Sequence, residues 1–276
     1  MRQHKRMEDR CCAVILGGIL MCAAALLVLP LVVTVAMSFD GAGYLTRFPP
    51  HELSVRWYNS LFSDPYYRTG LLTSIELAGT AMSISVVAGM MVAVGLDRFE
   101  FPGKTLLSVA FMSPIFVGGV VVGFSLLVFF SRLGVDSGFV RLLAGHVIVT
   151  LPYTIRSSLA ALSGINPTLE QAALSLGASE PKAFFDVALP LARPGVIAGA
   201  VFAFAFSMDE VSVSMFLTTV KTYTLPVALI SMMRSNFNLT IAAAAVLLLG
   251  LTILVIVVLD RMLGLDRLIG RGSYGL

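Results

Sequence analysis

Apolar residues run along this chain in long blocks separated by short polar stretches, and block length decides the elements. A helix that crosses the hydrocarbon core of a membrane needs roughly 20 predominantly apolar residues. Six blocks reach that length, at about 13–36, 70–96, 105–130, 138–161, 195–217 and 239–260. The pattern predicts an all-α integral membrane protein with six transmembrane helices, forming one domain over residues 1–276. The first block follows the basic head Arg2, Lys5, Arg6 and Arg10. It exceeds the roughly 7–15 apolar residues of a signal-peptide core, and no clear cleavage site follows, so it is expected to remain as a helix.

The longest polar interruption between late blocks, 164–192, has the marks of a helical hairpin. Asn166-Pro167 is a helix start, with Asn as N-cap and Pro in the first turn. The helix is expected over Thr168–Leu176, stopping at Gly177. Ser179 can cap a second helix with Glu180 and Pro181 in its first turn, running towards Leu189, and Pro190 and Pro194 are expected to break the chain before the fifth span. Leu169, Ala172, Ala173 and Leu176 share one side of the first helix. A helix this short is marginal alone in water and is expected to dock against something.

Composition agrees with a membrane protein. Charged residues make up 13% of the chain, against about 25% in soluble domains, and mean hydropathy is +0.91. Charge placement orients the spans, because Lys and Arg concentrate in cytoplasmic loops. With the N-terminus inside, the inner segments hold Arg2, Lys5, Arg6, Arg10, Arg98, Lys104, Arg156, Lys182, Arg193, Arg261, Arg267 and Arg271. The outer segments hold only Arg47, Arg56, Arg68, Arg132, Lys221 and Arg234. Both termini and the 164–192 hairpin are therefore expected in the cytoplasm. Cys11, Cys12 and Cys22 offer no metal or disulfide spacing, and Cys12 and Cys22 are expected to pack as small apolar residues.

Ionisable residues inside a span are functional candidates by default. The fifth span carries Ser207-Met208-Asp209-Glu210, and a central Asp costs about 2.5–3.5 kcal/mol on insertion scales. As a helix, Ser207, Glu210 and Ser214 would share one face, with Asp209 turned about 100° away. These acids either attract a cationic solute or serve structure, by pairing with Arg141 or capping a helix break. Glu76, near Thr73 and Thr80, is a second such candidate or a helix-interface residue. His146 suits a buried hydrogen bond better than a proton relay, since no acid lies one turn away. The outer loop 37–69 holds His51 and a helical pattern of Leu53, Trp57, Leu61 and Phe62, in which Trp57 is either an interfacial anchor or a solute contact.

Some classes are disfavoured. Gly103-Lys104-Thr105 echoes the end of a phosphate-binding loop, but Arg98 stands where the motif requires its first Gly and no strand precedes it. The scattered His4, His51 and His146 supply no metal or nucleophile–base set, so an enzyme is not expected. A gradient-driven secondary transporter would leave the hairpin unexplained.

The spacing Gln171-Ala172-Ala173, three residues, Gly177, nine residues, Val187-Ala188-Leu189-Pro190 resembles the signature of the permease subunits of bacterial ATP-binding-cassette importers. That signature is Glu-Ala-Ala, three residues, Gly, nine residues, Ile-x-Leu-Pro. Gln171 stands in place of its Glu, with Glu170 just before. Arg56-Trp57-Tyr58, Met112-Ser113-Pro114, His146 with Pro152, Leu189 to Pro194, Ser207 to Glu210, Phe216-Leu217-Thr218 and Thr224-Leu225-Pro226 extend the likeness over most of the chain. They resemble most the second permease subunit of spermidine/putrescine importers, within the type I, MetI-like fold.

The resemblance implies a binding-protein-dependent, ATP-driven importer working by alternating access. It implies that Glu170, Gln171, Ala172, Ala173, Gly177, Leu189 and Pro190 couple the chain to an ATPase, and that Trp57, Ser207, Asp209 and Glu210 lie on the solute path, with Glu76 as the residues' own addition. The implied partners are two cytoplasmic ATP-binding subunits, a second and related permease chain, a periplasmic or lipid-anchored solute-binding protein and membrane lipid, with no nucleic acid. No cofactor is expected in this chain, ATP being held by the separate ATPase. The implied location is the bacterial inner membrane. One departure bears on the solute: polyamine permeases commonly carry an acid after the Ser-Pro of the third span, and here it is Ile115. Phosphonate, iron or another small solute is the alternative to a polyamine.

Overall fold

The computed structural model describes residues 2–42, 48–50, 52–235 and 238–263, with the side chains of 2–15, 259–260 and 262–263 outside the description. Of the side chains named above, Arg2, His4, Lys5, Arg6, Arg10, Cys11, Cys12, Arg47, His51, Arg267 and Arg271 fall outside the described residues. The described chain is helical: α1 (Arg2–Ser38), α2 (Arg56–Ser63), α3 (Pro65–Arg98), α4 (Lys104–Phe116), α5 (Gly119–Leu133), α6 (Gly138–Ser163), α7 (Pro167–Ser175), α8 (Glu180–Ala183), a π-helical turn (Phe184–Ala188), α9 (Leu189–Asp209), α10 (Ser214–Leu217), α11 (Leu225–Ser235) and α12 (Thr240–Leu263). Five helical stretches are long and apolar enough to cross a membrane among the described residues, or six when the bent pair α4–α5 counts as one.

Three boundaries differ from the expectation. The block at 105–130 is two helices bent by 106°, because Pro114 lies in the last turn of α4 and extended Val117 and Gly118 precede α5. The block at 195–217 ends as a helix at Asp209, where Glu210 turns extended (φ −72°, ψ 111°), so Ser207, Glu210 and Ser214 share no continuous helical face. Finally, Pro190 and Pro194 do not break the chain: α8, the π turn and α9 form one stretch, Glu180–Asp209. In the π turn, Leu189 N–H bonds to the Phe184 carbonyl, five residues back. The wide turn moves the Asp186 carbonyl out of the way of the Pro190 ring, which a regular helix would drive into it.

The chain gathers into two compact units. The first is Met1–Asp64 with Met233–Leu247. Its described core joins Met37, Trp57, Leu239 and Ala243. Trp57 Nε1–H donates to the Asp40 carbonyl at 2.7 Å, the Arg56 guanidinium lies 4.5 Å from the indole centroid, and Ser38 and Tyr58 hydroxyls meet at 2.9 Å. No residue in the apolar window of α1 is buried in this chain, and Cys22 on it is exposed rather than packed, contrary to the expectation.

The second unit, Pro65–Met232 with Leu248–Leu276, is built on α3, α6 and α9. Lipid gives no hydrophobic drive to helix association, so small residues that permit close approach take its place. Gly89 lies against Thr154, Gly195 against Ala161 and Ser157, and Gly199 against Thr154. Ala78, Ala81, Ala93, Ala192 and Ala203 are fully buried. Hydroxyls add the polar contacts: Ser85 to Thr150 at 2.7 Å, Thr154 to the Ser85 carbonyl at 2.7 Å, and Ser157 to the Gly195 carbonyl.

Candidate functional site

The hairpin is set by its caps. Asn166 Oδ1 accepts from the Thr168 N–H at 3.0 Å and from the Thr168 hydroxyl at 2.8 Å, and Pro167 occupies the first position of α7, where no donor is needed. At the other end Gly177 N–H bonds to the Leu174 carbonyl at 2.9 Å and Ala178 N–H to the Ala173 carbonyl at 3.1 Å, with Gly177 at φ +91°. This is a Schellman closure, which requires a left-handed residue four positions after the carbonyl that takes the last bond. The spacing from Ala173 to Gly177 therefore has a backbone cause. Ser179 takes the N-cap position of α8, but its side chain makes no capping bond.

No residue of α7 is buried. Gln171 and Ala172 are exposed, Ala173 is half-buried, and Leu176 at the tip is 89% exposed, with Leu169 and Leu174 also open. Leu189 is half-buried and Pro190 exposed at the start of α9. Glu170 points elsewhere: Arg98 Nη2, at the end of α3, donates to both its oxygens at 2.6 and 2.7 Å. Arg98 also lies 4.9 Å from the centroid of Phe184, the first residue of the π turn. Sequence reasoning placed Arg98 only in a short inner loop.

The second constellation surrounds the end of α9. Glu210 Oε1 accepts from the Val213 N–H at 2.8 Å, and the Ser214 hydroxyl donates to the Glu210 carbonyl at 2.8 Å, closing a capped turn into α10. His146, fully buried on α6, bridges the break: Nδ1 is 2.7 Å from Ser207 Oγ and Nε2 is 2.8 Å from Ser214 Oγ. Because the Ser214 hydrogen is directed to Glu210, its oxygen accepts from the imidazole. This assigns the ring proton to Nε2, and Ser207 donates to Nδ1. Glycines make room for the turn. A Cβ on Gly123 would stand 3.0 Å from Val213 Cα, one on Gly145 2.7 Å from Val213 Cγ1, and one on Gly119 2.8 Å from Ser212 Cβ. Sequence reasoning missed Gly119, Gly123 and Gly145, because a glycine in an apolar helix does not show which backbone comes close to it.

The expected path residues are thus dispersed in role. Ser207 is buried, at 4% exposure, and engaged by His146. Glu210 is half-buried and caps the turn. Asp209 and Glu76 are exposed, and no salt bridge reaches either among the described residues. Trp57 is buried in the first unit, with its N–H engaged by the Asp40 carbonyl. Arg141 does not pair with the acids of the fifth span; at the first turn of α6 it bonds the Val135 carbonyl and approaches Asp136 at 3.4 Å, because it sits at the end of the helix beside that loop. Gly103 caps α4 with φ +87°, and Lys104 pairs with Glu100 at 2.7 Å. Among the described residues no group of His, Cys, Asp and Glu could hold a metal ion.

Comparison with known proteins completes the picture. Residues 85–265 match the family described as "Binding-protein-dependent transport system inner membrane component". The chain is 31% identical to the spermidine/putrescine transport system permease protein PotC of Shigella flexneri, over 93% of this chain and 96% of that protein. It is 29% identical to the putrescine transport system permease protein PotI of Escherichia coli K12, over 80% of each. The crystal structure of a bacterial ABC transporter involved in the import of the acidic polysaccharide alginate superposes with a TM-score of 0.73, covering 95% of this chain and 98% of that one at 14% identity, which is a likeness of fold.

Proposed function

The chain belongs to the family of binding-protein-dependent transport system inner membrane components, the MetI-like permeases of ABC importers, and from that premise we propose that it forms half of an import path for a polyamine, spermidine or putrescine. Members of the family are multi-pass inner-membrane transport subunits, not enzymes, and work with a periplasmic binding protein and an ATPase.

Two cytoplasmic ATPases flank this chain and a second, related permease chain, with both termini of this chain in the cytoplasm. The observation that carries the reading is α7 with its C-cap Leu176: a capped helix on the 164–192 hairpin with no buried residue, on which Leu169, Ala172, Leu174 and Leu176 are all exposed. A short helix with an open apolar side gains stability by docking, and a cleft in an ATPase subunit fits it. ATP binds that subunit rather than this chain, which is supported by the engagement of Gly103 as a helix cap and of Lys104 with Glu100. Closure of the ATPases on ATP moves the hairpin. The continuous stretch Glu180–Asp209 carries the motion to the break at Glu210, and the central cavity changes the side it faces.

Asp209 and Glu76 support a cationic solute, since each leaves an exposed carboxylate on a span-forming helix with no salt bridge among the described residues. A different solute has two observations in its favour: Ile115 is apolar where polyamine permeases commonly carry an acid, and Glu210 is held by the Val213 N–H. The test is uptake of labelled spermidine and putrescine by cells expressing this chain with its partner subunits. Saturable, ATP-dependent uptake of either supports the reading. Absence of uptake, with the complex assembled, overturns the polyamine assignment and directs the search to phosphonates and iron.

A further inference from the structure

We propose that Arg98 is the residue that binds the coupling hairpin to α3, so that hairpin and α3 move as one body when the ATPases close; the proposal rests on the docking of the hairpin argued above. Arg98 touches both arms of the hairpin at once. Its guanidinium holds Glu170 of α7 through both carboxylate oxygens, and its face lies over the ring of Phe184, where the second arm enters the π turn. No other ion pair links α7 to a spanning helix among the described residues.

The contact has the right chemistry for a transmitting link. A guanidinium bonded to a carboxylate and stacked on an aromatic ring is directional, whereas a lysine ammonium would keep the charge but lose the planar stacking. The pair is about three-quarters shielded on each side, at 27% and 25% side-chain exposure, so water competes with it only in part. The π turn next to Phe184 is the one place in Glu180–Asp209 where the helical hydrogen-bond register widens, and such turns permit local adjustment. Without Arg98, a push on α7 is free to be absorbed there. With Arg98 in place, the push also reaches Arg98 and therefore α3, the helix that carries Glu76. Because Glu170 is engaged internally, Gln171 is the first residue of the motif left to face the partner.

The test uses the assembled importer in lipid nanodiscs, with Cys11, Cys12 and Cys22 replaced by Ala and spin labels at Lys182→Cys, an exposed residue of the hairpin outside the docking face, and Met91→Cys on α3. Co-purification of the ATPase and trapping of nucleotide with vanadate are read first; failure of either refutes the docking reading and this inference with it. The expected result is one distance, unchanged between nucleotide-free and vanadate-trapped states, that shifts or splits on trapping in Arg98→Ala. Arg98→Glu and Glu170→Arg singly should lower solute transported per ATP by tenfold or more at equal membrane abundance, and the double swap should recover at least half of the wild-type ratio. A wild-type distance that changes on trapping, an Arg98→Ala distance that does not, or a double swap no better than its singles overturns the inference.

Discussion

His146 Nε2 and Ser214 Oγ lie 2.8 Å apart, and through this bond a residue of α6 holds the far side of a break in the fifth span. The same ring holds Ser207, on the near side, at 2.7 Å. A helix that stops inside a membrane leaves carbonyls and N–H groups that lipid cannot satisfy. Here the Val213 N–H goes to Glu210 Oε1, the Glu210 carbonyl receives the Ser214 hydroxyl, and the imidazole closes the set. The break is a built feature, with these polar groups paired and its backbone seated against Gly123.

Replacing His146 should therefore weaken the protein before it alters solute choice. His146→Ala takes the imidazole from two buried hydroxyls, of which Ser214 keeps its bond to the Glu210 carbonyl, and opens a cavity, which together cost on the order of 3 kcal/mol. His146→Gln keeps an amide donor towards Ser214 and should lose less. Thermal unfolding of the purified complex checks the order wild type, Gln, Ala. An Ala variant as stable as wild type would contradict the bridging role.

Gly177 offers a test of what covers the hairpin. Its φ of +91° disfavours any side chain by about 1–2 kcal/mol, less for Asn, which tolerates this region. Within the chain, a Cβ there meets nothing within 4 Å. In an uncovered hairpin, Ala and Phe at 177 would do equal harm, and Asn would do least. With a partner surface over the turn, harm grows with side-chain size, and Gly177→Phe should abolish transport while insertion persists. Uptake measured across Asn, Ala, Val and Phe at matched membrane abundance separates the two.

Much of this architecture was legible in the chain. Apolar block length found the spans, since only a helix of about 20 residues satisfies its backbone across lipid. The ends of α7 followed from Asn166, Pro167 and Gly177, because caps are local chemistry. What failed depended on contacts. A proline is a breaker only if its neighbours keep a regular helix, and the π turn before Pro190 removes that condition. The stop at Asp209 is invisible locally, because Met208 to Val213 contains no Pro or Gly; the turn is accepted because His146, Gly123 and Gly145 receive it. The helical spacing already set Asp209 about 100° from Glu210; what it could not show is that the chain leaves the helix between them, with Asp209 exposed and Glu210 half-buried as a cap.

The glycine cradle yields its own expectation. A methyl at Gly123 would press on Val213 Cα at 3.0 Å and on the Val213 carbonyl at 3.1 Å, and backbone cannot yield as a side chain does. Overpacking of this kind costs about 1–3 kcal/mol. Gly123→Ala should lower the thermal midpoint of the complex, while Gly79→Ala, where a Cβ meets nothing within 4 Å and Ala favours the helix, should not lower it. Equal midpoints for the two would show that the turn at Val213 is not seated on α5.

The acids of the fifth span separate by substitution because they do different work. Glu210→Gln retains an oxygen that accepts the Val213 N–H and removes only charge, whereas Glu210→Ala removes the cap as well. Stability should therefore fall for Ala and hold for Gln. Asp209→Asn and Glu76→Gln remove exposed carboxylates that cap nothing, so both should leave stability unchanged. A carboxylate within about 4 Å of a cation in water is worth roughly 1 kcal/mol, which is a rise of about fivefold in the half-saturating spermidine concentration. Spermidine uptake kinetics in the four variants, alongside their thermal midpoints, reads both effects. Wild-type affinity in Asp209→Asn and Glu76→Gln together would remove these two carboxylates from the solute path, and a midpoint drop in Glu210→Gln equal to that in Glu210→Ala would show that the charge, not the cap, holds the turn.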